Sequence, residues 1–387
     1  MTTGVSILGS TGSVGETTLR VIRHLGGRFD VVGLAAGRKV KRLLDQIEEF
    51  RPSIVSVERE EDAAEVHRLF PGLEVVHGSH GATQVAEIPE ARIVMAAIVG
   101  AQGLAPTYRA AQKGKRVALA NKEALVMAGR LMTDAARRSG AELLPVDSEH
   151  CAVFQCVRGE SKKHIRRIVL TASGGSLRDA SLSEIENAPL ERVLAHPTWK
   201  MGRKITVDSA TMMNKGLEII EAHHLFEVSL KDIGVLIHPE SIVHSMVEYV
   251  DGSVMAQLAT TDMALPVQYA LTYPVRSQGT LEFLDLAAMG TLTFREAEQA
   301  RYPCLVLARE AAETSEAHTI TMNAANEEAV AAFLAGQIPF GAIHRCIARV
   351  LESVSPAPAS GLEEVLAIDK AGRSMARKVL AETGASS

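Results

Sequence analysis

Residues 5–15 read VSILGSTGSVG, an apolar run followed by a glycine-rich turn. A helix-like stretch continues from this turn to His24. A strand-like run, a glycine-rich turn and a helix in this order suit a dinucleotide-binding site. Glycines let the backbone approach a pyrophosphate, and the N-terminus of a helix offers free N–H donors. The spacing is G-x-x-G-x-x-G instead of the common G-x-G-x-x-G. A tight turn between strand and helix, without a ligand, is therefore the alternative interpretation.

Further apolar runs alternate with helical patterns to about residue 145, at residues 31–35, 54–57, 93–97 and 116–120. Such alternation predicts right-handed crossovers and a mostly parallel sheet. Between residues 147 and 284 strand-like runs mix with helices, and beyond Tyr302 the chain is alanine-rich and helical. We predict an α/β fold with a Rossmann-like parallel-sheet nucleotide domain (1–146), an α+β domain (147–285), and a linker with a C-terminal helical bundle (286–387).

The composition excludes several classes of protein. The 387 residues are 47% hydrophobic and 22% charged, with a formal net charge of −5. This chain can bury a large core and lacks the basic excess that binds nucleic acid non-specifically. Its longest apolar run, residues 93–99, is too short to span a membrane, and its four cysteines contain no CxxC pair. Because a strand-like run begins by Val5, we expect no signal peptide and a cytoplasmic protein without nucleic-acid or membrane partners.

Cations follow the second predicted strand, in Gly37-Arg38-Lys39. An NAD site usually has an acidic residue there to hold the ribose 2′-hydroxyl, whereas a cation suits the 2′-phosphate of NADP. A solvated basic loop is the alternative. Together with the glycine-rich turn, these cations favour NADP(H) as the cofactor.

Two carboxylates stand close together after a further strand-like run, in Pro145-Val146-Asp147-Ser148-Glu149-His150. If this stretch is extended, Asp147 and Glu149 point to the same side of it. Adjacent carboxylates repel each other unless a cation lies between them, and oxygen ligands select a hard ion such as Mg²⁺ or Mn²⁺. For this pair taken alone, a solvated loop or a helix cap is the alternative.

A third carboxylate, Glu218, lies in a segment with an apolar stripe at helical spacing. Asn214 and Lys215 stand four and three residues before it, so all three share one helix surface. The segment leading into this helix, residues 196–217, contains one acid, Asp208, against four cations, Lys200, Arg203, Lys204 and Lys215. This local basic patch suits a small phosphorylated anion.

The one tryptophan of the chain, Trp199, lies in a polar stretch with Pro197 before it and Gly202 after it. A single tryptophan is more often part of a core, but helix breakers on both sides indicate a loop. We therefore predict that Trp199 lies in a lid that covers a ligand.

Together these segments closely resemble the 1-deoxy-D-xylulose 5-phosphate reductoisomerase family. The resemblance runs in family order through nearly the whole chain, and the 23-residue match from His196 to Glu218 is highly specific. The matching stretches are residues 8–16, 95–102, 118–124, 144–151, 196–219, 237–247 and 301–306.

The resemblance implies an enzyme that uses NADPH and a divalent metal, Mg²⁺ or Mn²⁺. Its substrate would be a small phosphorylated sugar, 1-deoxy-D-xylulose 5-phosphate, which is rearranged and reduced to 2-C-methyl-D-erythritol 4-phosphate in non-mevalonate isoprenoid biosynthesis. The first domain would bind NADPH, and the second would be catalytic and metal-binding with a lid loop at residues 196–204. The family usually forms homodimers.

The resemblance also implies roles for individual residues. Asp147, Glu149 and Glu218 match metal ligands, and Lys122 matches a group that reaches the substrate. The other substrate positions, of which Ser173, Ser209, Asn214 and Lys215 are nearest the phosphate, are Ser148, Glu149, Ser173, His196, Trp199, Ser209, Asn214, Lys215 and Glu218. The cofactor positions are Thr11, Gly12, Ser13, Val14, Gly37, Arg38, Lys39, Asn121, Glu123 and Gly202.

Some questions stay open at this stage. Proton transfer is open between Glu149, Lys122, His150 and a water ligand of the ion. Lys39, Ser176 and Ala264 replace the asparagine, proline and arginine that we expect in the family, at positions that affect cofactor affinity and loop rigidity. The rival functions are another NADP-linked dehydrogenase acting on a small semialdehyde, and a non-enzymatic NADP-sensing protein.

Overall fold

The computed structural model describes residues 2–384, which divide by their internal contacts into two compact units. The first unit contains residues 2–124, 130–151 and 262–282, and the second contains residues 125–129, 152–261 and 283–384. The predicted boundaries at residues 146 and 285 differ from this division, because residues 262–282 pack with the first unit. The assignment of three functional domains stays a prediction.

A seven-stranded sheet, parallel throughout, forms the centre of the first unit, as the alternating pattern predicts. The strand order is β4-β3-β2-β1-β5-β6-β7, so the chain reverses direction across the sheet beside β1. In sheets of this kind ligands bind at the carboxyl ends of the strands, near the point of reversal. The strands are β1 (Thr3–Leu8), β2 (Phe29–Ala35), β3 (Ile54–Val57), β4 (Glu74–His77), β5 (Ala91–Ala96), β6 (Arg116–Leu119) and β7 (Leu143–Pro145).

A mixed five-stranded sheet belongs to the second unit, in the order β11-β10-β8-β9-β12. Only β8 and β9 pair in parallel within it, and the other pairings are antiparallel. Its strands are β8 (Ile165–Ala172), β9 (Ile233–Ile237), β10 (Val243–Tyr249), β11 (Val254–Leu258) and β12 (Arg295–Glu296).

Helices cover most of the remaining chain, and the predicted helical C-terminal region is confirmed. The helices are α1 (Ser13–Leu25), α2 (Val40–Phe50), α3 (Glu60–Leu69), α4 (Gly78–Glu87), α5 (Leu104–Gln112), α6 (Lys122–Ser139), α7 (Ser148–Cys156), α8 (Leu182–Glu186), α9 (Leu190–Leu194), α10 (Arg203–Thr211), α11 (Met213–Phe226), α12 (Ala264–Thr272), α13 (Leu286–Met289), α14 (Pro303–Thr314), α15 (Glu316–Leu334), α16 (Ala342–Leu351) and α17 (Leu362–Gly384). Within the described residues, no helix is both long and apolar enough to cross a membrane.

Helix α12 explains why residues 262–282 join the first unit. It packs against α1, and the guanidinium of Arg20 on α1 lies 2.8 Å from the carboxylate of Asp262. Arg116 at the start of β6 donates a hydrogen bond of 2.8 Å to the carbonyl of Tyr273. These contacts attach a segment distant in sequence to the unit that contains the seven-stranded sheet.

Helices α10 and α11 pack against the C-terminal helices in a shared hydrophobic core. Val207 of α10 and Leu217 of α11 are buried in one cluster with Cys304, Met322 and Ile343 of α14, α15 and α16. Burial in this apolar cluster raises the pKa of the Cys304 thiol to about 12, so the thiol stays protonated at neutral pH.

Candidate active site

The glycine-rich turn lies between β1 and α1 in the first unit. Gly9 has a φ of 87°, and a Cβ atom there would lie 2.5 Å from the carbonyl oxygen of Ala97. A Cβ atom on Gly15 would lie 2.3 Å from the carbonyl oxygen of Gly9, so the first turn of α1 packs directly on the loop. Gly12 is the N-cap of α1, and no side chain of the described residues caps this terminus. The turn therefore presents backbone N–H groups as an anion site requires.

Of the two predicted cofactor cations, Lys39 lies beside this turn and Arg38 pairs with a carboxylate after β3. Lys39 Nζ is 3.5 Å from the carbonyl oxygen of Thr11 in the glycine-rich turn. Arg38 is 75% exposed and donates hydrogen bonds of 3.2 and 3.1 Å to the carboxylate of Glu58. Sequence reasoning missed Glu58, which follows β3, the strand beside β2 in the sheet. Because the Arg38–Glu58 pair is exposed, little free energy holds the guanidinium away from an incoming phosphate.

Changing Arg38 to alanine tests the cofactor assignment. The Arg38→Ala variant is expected to bind NADPH about 10- to 100-fold more weakly, the scale of a charge-assisted hydrogen bond, and NADH almost unchanged. Fluorescence titration of both cofactors measures the two dissociation constants. Arg42→Ala is a matched control, because Arg42 is a half-exposed cation on the adjacent helix that pairs with Glu16. Equal losses for both cofactors in Arg38→Ala would contradict the 2′-phosphate assignment.

Asn121, Lys122 and Glu123 follow β6 and are all buried. Asn121 is the N-cap of α6, and its Oδ1 accepts the N–H of Ala124 at 2.7 Å. Its amide nitrogen donates to the carbonyl of Gly100 at 3.0 Å and to Glu123 Oε2 at 3.2 Å. Asn121 thus connects the loop after β5 to the start of α6. It stabilises the local backbone and also occupies a predicted cofactor position.

The backbone around Asp147 differs from the extended stretch that the sequence suggests. Strand β7 ends at Pro145 and helix α7 begins at Ser148, so Asp147 directly precedes a helix and Glu149 lies in its first turn. Asp147 and Glu149 are therefore not an extended i, i+2 pair, and the prediction that they point to the same side of a strand is wrong. The Asp147 carbonyl accepts the N–H of Cys151 at 2.8 Å, and this bond starts the helix. Ser148 Oγ donates a hydrogen bond to the Glu149 carboxylate.

Helix geometry gives Asp147 a different set of neighbours. Its Oδ1 pairs with Lys122 Nζ, and its Oδ2 lies 3.3 Å from Nδ1 of the fully buried His150. The Oδ2 atom accepts no hydrogen bond from the described part of the chain. A buried carboxylate oxygen with an open lone pair fits a ligand for a hard cation. The same helical turn places His150, a candidate for proton transfer, beside Asp147.

In the second unit, the predicted substrate residues Ser173 and Ser209 both contact a third predicted substrate residue, His196. The Nε2 atom of His196 lies 3.0 Å from Ser173 Oγ and 3.2 Å from Ser209 Oγ. Its Nδ1 atom accepts the backbone N–H groups of Thr198 at 3.3 Å and Trp199 at 3.0 Å. Because Nδ1 accepts, the proton of the neutral ring is on Nε2 and points to the two hydroxyls. Burial lowers the pKa of His196, and the positive charge of Arg178 lowers it further.

Two glycines allow this cluster to be compact. Gly174 and Gly175 follow β8 with φ values of 84° and 74°. A Cβ atom on Gly175 would lie 2.7 Å from the Cα atom of Ala210, so α10 approaches the loop backbone closely. Sequence reasoning missed Arg178, whose guanidinium donates to the Ser173 carbonyl at 2.9 Å. The signal for it was a cation three residues after the Gly174-Gly175 pair.

Helix α11 carries two residues predicted to bind the phosphate, Asn214 and Lys215, and one predicted metal ligand, Glu218. Their spacing predicts that they share one helix surface, and the structure places them in contact. Asn214 Nδ2 donates a hydrogen bond of 2.6 Å to Glu218 Oε1, and Lys215 Nζ pairs with Glu218 Oε2. Glu218 is 0% exposed and Lys215 is 2% exposed. A buried charge pair of this kind is costly to assemble, so its presence favours a functional role for one or both partners.

The predicted lid, residues 196–204, spans the loop after α9 and the start of α10. Trp199 is half-buried, and its ring centroid lies 6.0 Å from that of His244. Thr198 Oγ1 lies 3.4 Å from Ser241 Oγ, and Gly202 is the N-cap of α10. The loop prediction for Trp199 is confirmed, and the core alternative is excluded. Whether the loop covers a ligand stays a prediction.

Three positions that depart from family expectation have clear local contacts. Besides Lys39, described above, Ser176 Oγ donates to the carbonyl of Val193 at 2.7 Å. Ala264 begins α12, is buried, and donates its N–H to Asp262 Oδ1 at 2.8 Å. Ser176 thereby holds its loop with a hydrogen bond where we expected a proline to hold it.

The parallel sheet, the glycine-rich turn and the cations after β2 are features of an NADP-linked oxidoreductase. Domain profiles identify the family: residues 5–129 match "1-deoxy-D-xylulose 5-phosphate reductoisomerase", residues 143–226 match its C-terminal domain, and residues 258–375 match a further C-terminal domain described as "DXP reductoisomerase C-terminal domain". The chain belongs to the 1-deoxy-D-xylulose 5-phosphate reductoisomerase family.

Named relatives and solved structures agree with this assignment. The chain is 50% identical to the 1-deoxy-D-xylulose 5-phosphate reductoisomerase of Chlorobium phaeovibrioides over 96% of its own length and 98% of that protein. It superimposes on the Zymomonas mobilis enzyme in complex with NADPH with a TM-score of 0.91 and 42% identity, covering 98% of this chain and 99% of that one. A reductoisomerase bound to NADPH, fosmidomycin and magnesium gives a TM-score of 0.92 at 40% identity, covering 98% of both chains.

Proposed function

We propose that this chain rearranges and reduces 1-deoxy-D-xylulose 5-phosphate to 2-C-methyl-D-erythritol 4-phosphate, using NADPH and a divalent cation. The observation that carries the proposal is the Ser173–His196–Ser209 cluster, in a chain of this family. A neutral imidazole and two hydroxyls present donors to one anion, and Arg178 adds a nearby positive charge. Such a set binds a phosphate through charge-assisted hydrogen bonds.

The carboxylates Asp147, Glu149 and Glu218 are proposed to hold the cation. Oxygen ligands suit Mg²⁺, and the open buried lone pair of Asp147 Oδ2 supports this use. When bound, such an ion supplies Lewis-acid activation of a substrate carbonyl. Lys122 and Lys215 pair with the carboxylates of Asp147 and Glu218. From the family resemblance, we propose that Lys122 also reaches the substrate and that Lys215 and Asn214 serve its phosphate.

The cofactor would lie on the glycine-rich turn of the first unit and supply hydride. Backbone N–H groups at Thr11, Ser13 and Val14 would bind the pyrophosphate at the start of α1, and Gly12, whose N–H donates to the Gly9 carbonyl at 3.0 Å, would shape the turn. Arg38 and Lys39 would bind the 2′-phosphate, and Gly37, Asn121, Glu123 and Gly202 would make further contacts. For proton transfer, the fully buried His150 beside Asp147 joins Glu149 and Lys122 as candidates.

The proposal also covers the choice of metal ion, the oligomeric state and the cellular location. Mn²⁺ is proposed to replace Mg²⁺, since both are hard cations with oxygen ligands. A homodimer and a cytoplasmic location are proposed from the family resemblance and the sequence alone. Size-exclusion chromatography with light scattering measures the oligomeric state directly.

A product assay separates this function from the semialdehyde dehydrogenase that remains the second candidate. The protein is incubated with 1-deoxy-D-xylulose 5-phosphate, NADPH and Mg²⁺, and the product is identified by NMR. A branched methylerythritol phosphate supports the proposal, because a simple dehydrogenase reduces a carbonyl without moving the carbon skeleton. NADPH consumption that yields an unbranched alcohol would support the dehydrogenase instead.

The lid prediction is tested by limited proteolysis. Trypsin is expected to cut the free protein at Lys200, because the loop between α9 and α10 has no regular structure. Cleavage is expected to slow at least about tenfold when NADPH and a phosphonate–hydroxamate such as fosmidomycin are both present, because an ordered lid excludes the protease. Cleavage near Lys162 and Lys163 is the internal control. Full protection by NADPH alone, with no further effect of the phosphonate, would indicate a fixed loop.

A further inference from the structure

The single acid of the basic segment, Asp208, has no part in the chemistry above and is nevertheless buried. It lies on α10 with 1% of its surface exposed. A carboxylate out of water is costly unless it is paired and hydrogen-bonded. Its Oδ2 lies 3.0 Å from Lys204 Nζ, one turn earlier on α10. Its Oδ1 accepts a hydrogen bond of 2.9 Å from Nδ2 of Asn326, which is 0% exposed on α15.

The Asp208–Asn326 hydrogen bond joins α10 to the C-terminal helices immediately beside the phosphate-binding cluster. Ser209, the next residue, places its Oγ 3.2 Å from His196 Nε2. Successive residues of a helix point about 100° apart, so these two side chains face different neighbours. The carbonyl of Ser209 also faces Gly175, where a Cβ atom would lie 2.6 Å from it. A small rotation of α10 would therefore disturb the cluster.

Asp208 is also connected to the start of α11. Thr211 Oγ1 donates to the Asp208 carbonyl at 3.2 Å and accepts the N–H of Met213 at 3.2 Å. Between the two helices Met212 has a φ of 61°, in the left-handed region, so the chain bends sharply there. The position of α10 thus influences the first turn of α11, which carries Asn214 and Lys215.

We propose that Asp208 and Asn326 are positioning residues that hold Ser209 and the first turn of α11 in place for the substrate phosphate. They act through these neighbours and do not themselves touch the substrate. The proposal rests on the proposed function for the identity of the ligand. It assigns the C-terminal helical region a role in substrate affinity and leaves cofactor binding to the first unit.

The first test removes the hydrogen-bond donor with little change in volume. In Asn326→Leu, the KM for 1-deoxy-D-xylulose 5-phosphate is expected to rise about tenfold, while kcat and the KM for NADPH stay within about threefold. Asn323→Leu is the matched control, because Asn323 is also 0% exposed on α15 but donates to Glu327 at 3.1 Å. It is expected to lose comparable stability without a change in substrate KM. An equal rise in KM for both variants would show a merely structural role.

The second test exchanges the two side chains. Asn326→Asp alone places two carboxylates together and is expected to raise the substrate KM more than Asn326→Leu does. Combining it with Asp208→Asn restores one carboxylate and one amide, at exchanged positions. The double variant is expected to return to within about threefold of the wild-type KM, which a double-mutant cycle records as coupling. Additive effects of the two changes would overturn the proposal.

A third measurement does not depend on turnover. The ¹⁵N signals of the His196 ring report its contact with Ser209 in the free protein. They are expected to shift in Asn326→Leu, to return in the exchanged double variant, and to stay unchanged in Asn323→Leu. Unchanged His196 signals in Asn326→Leu would refute the positioning role. Wild-type protein that does not convert the substrate would refute the proposed function alone, since these signals still test the position of α10.

Discussion

Replacing Glu218 by glutamine is expected to lower turnover by at least about 10³-fold, the order of several kcal/mol of Lewis-acid stabilisation. Glutamine keeps the shape of the side chain and an oxygen that can accept the Asn214 hydrogen bond of 2.6 Å. It removes the negative charge on which a hard cation depends. Mg²⁺ affinity, measured by calorimetric titration, is expected to fall together with turnover, and NADPH affinity is expected to stay near the wild-type value.

The buried Lys215–Glu218 pair changes what is expected for stability in this variant. Glutamine removes the Glu218 charge that pairs with the Lys215 ammonium, and breaking a buried pair costs about 3–5 kcal/mol of unfolding free energy. Turnover is therefore compared at temperatures well below the unfolding midpoint of each variant. Glu221→Gln is the matched control, since Glu221 is equally buried one turn later on α11, and it should retain most activity. If Glu218→Gln keeps Mg²⁺ affinity and more than about a tenth of wild-type turnover, Glu218 is not a ligand.

Gly15→Ala is expected to weaken NADPH binding by at least about thirtyfold, about 2 kcal/mol, because overpacking forces the backbone apart. The added Cβ would lie 2.3 Å from the carbonyl oxygen of Gly9 and 2.5 Å from that of Ser10. Both obstacles are backbone atoms, so no side chain can rotate away to make room. The glycine-rich turn must move off the N-terminus of α1, and the N–H groups that would bind the pyrophosphate lose their alignment.

Gly72→Ala is the control for this substitution. Gly72 lies in the loop between α3 and β4 of the same unit, and a Cβ atom there would have nothing within 4 Å. Alanine is expected to be neutral or slightly stabilising at that position, with unchanged NADPH affinity. Dissociation constants come from fluorescence titration, and thermal unfolding of both variants shows whether the first unit is intact. A Gly15→Ala protein that binds NADPH within about threefold of wild type would exclude the proposed role of the turn.

Several features could be predicted from the sequence because they depend on neighbours along the chain. Asn214, Lys215 and Glu218 share one helix surface simply through their spacing of three and four residues, and α11 places them in contact. The alternation of apolar runs with helical patterns predicted the parallel sheet for the same reason. Asp147 shows the limit of this reasoning, since its two-residue spacing to Glu149 suggested a strand where α7 begins.

The sequence by itself determined the family, the parallel nucleotide sheet, the glycine-rich turn, and the helix that carries Asn214, Lys215 and Glu218. Only the tertiary structure decided that Ser173, His196 and Ser209 meet, that Glu58 faces Arg38, and that residues 262–282 pack against α1. The physical reason is distance along the chain. A helix or strand period relates residues within a few positions of each other, whereas contacts between distant residues depend on how buried faces pack, which no local spacing records.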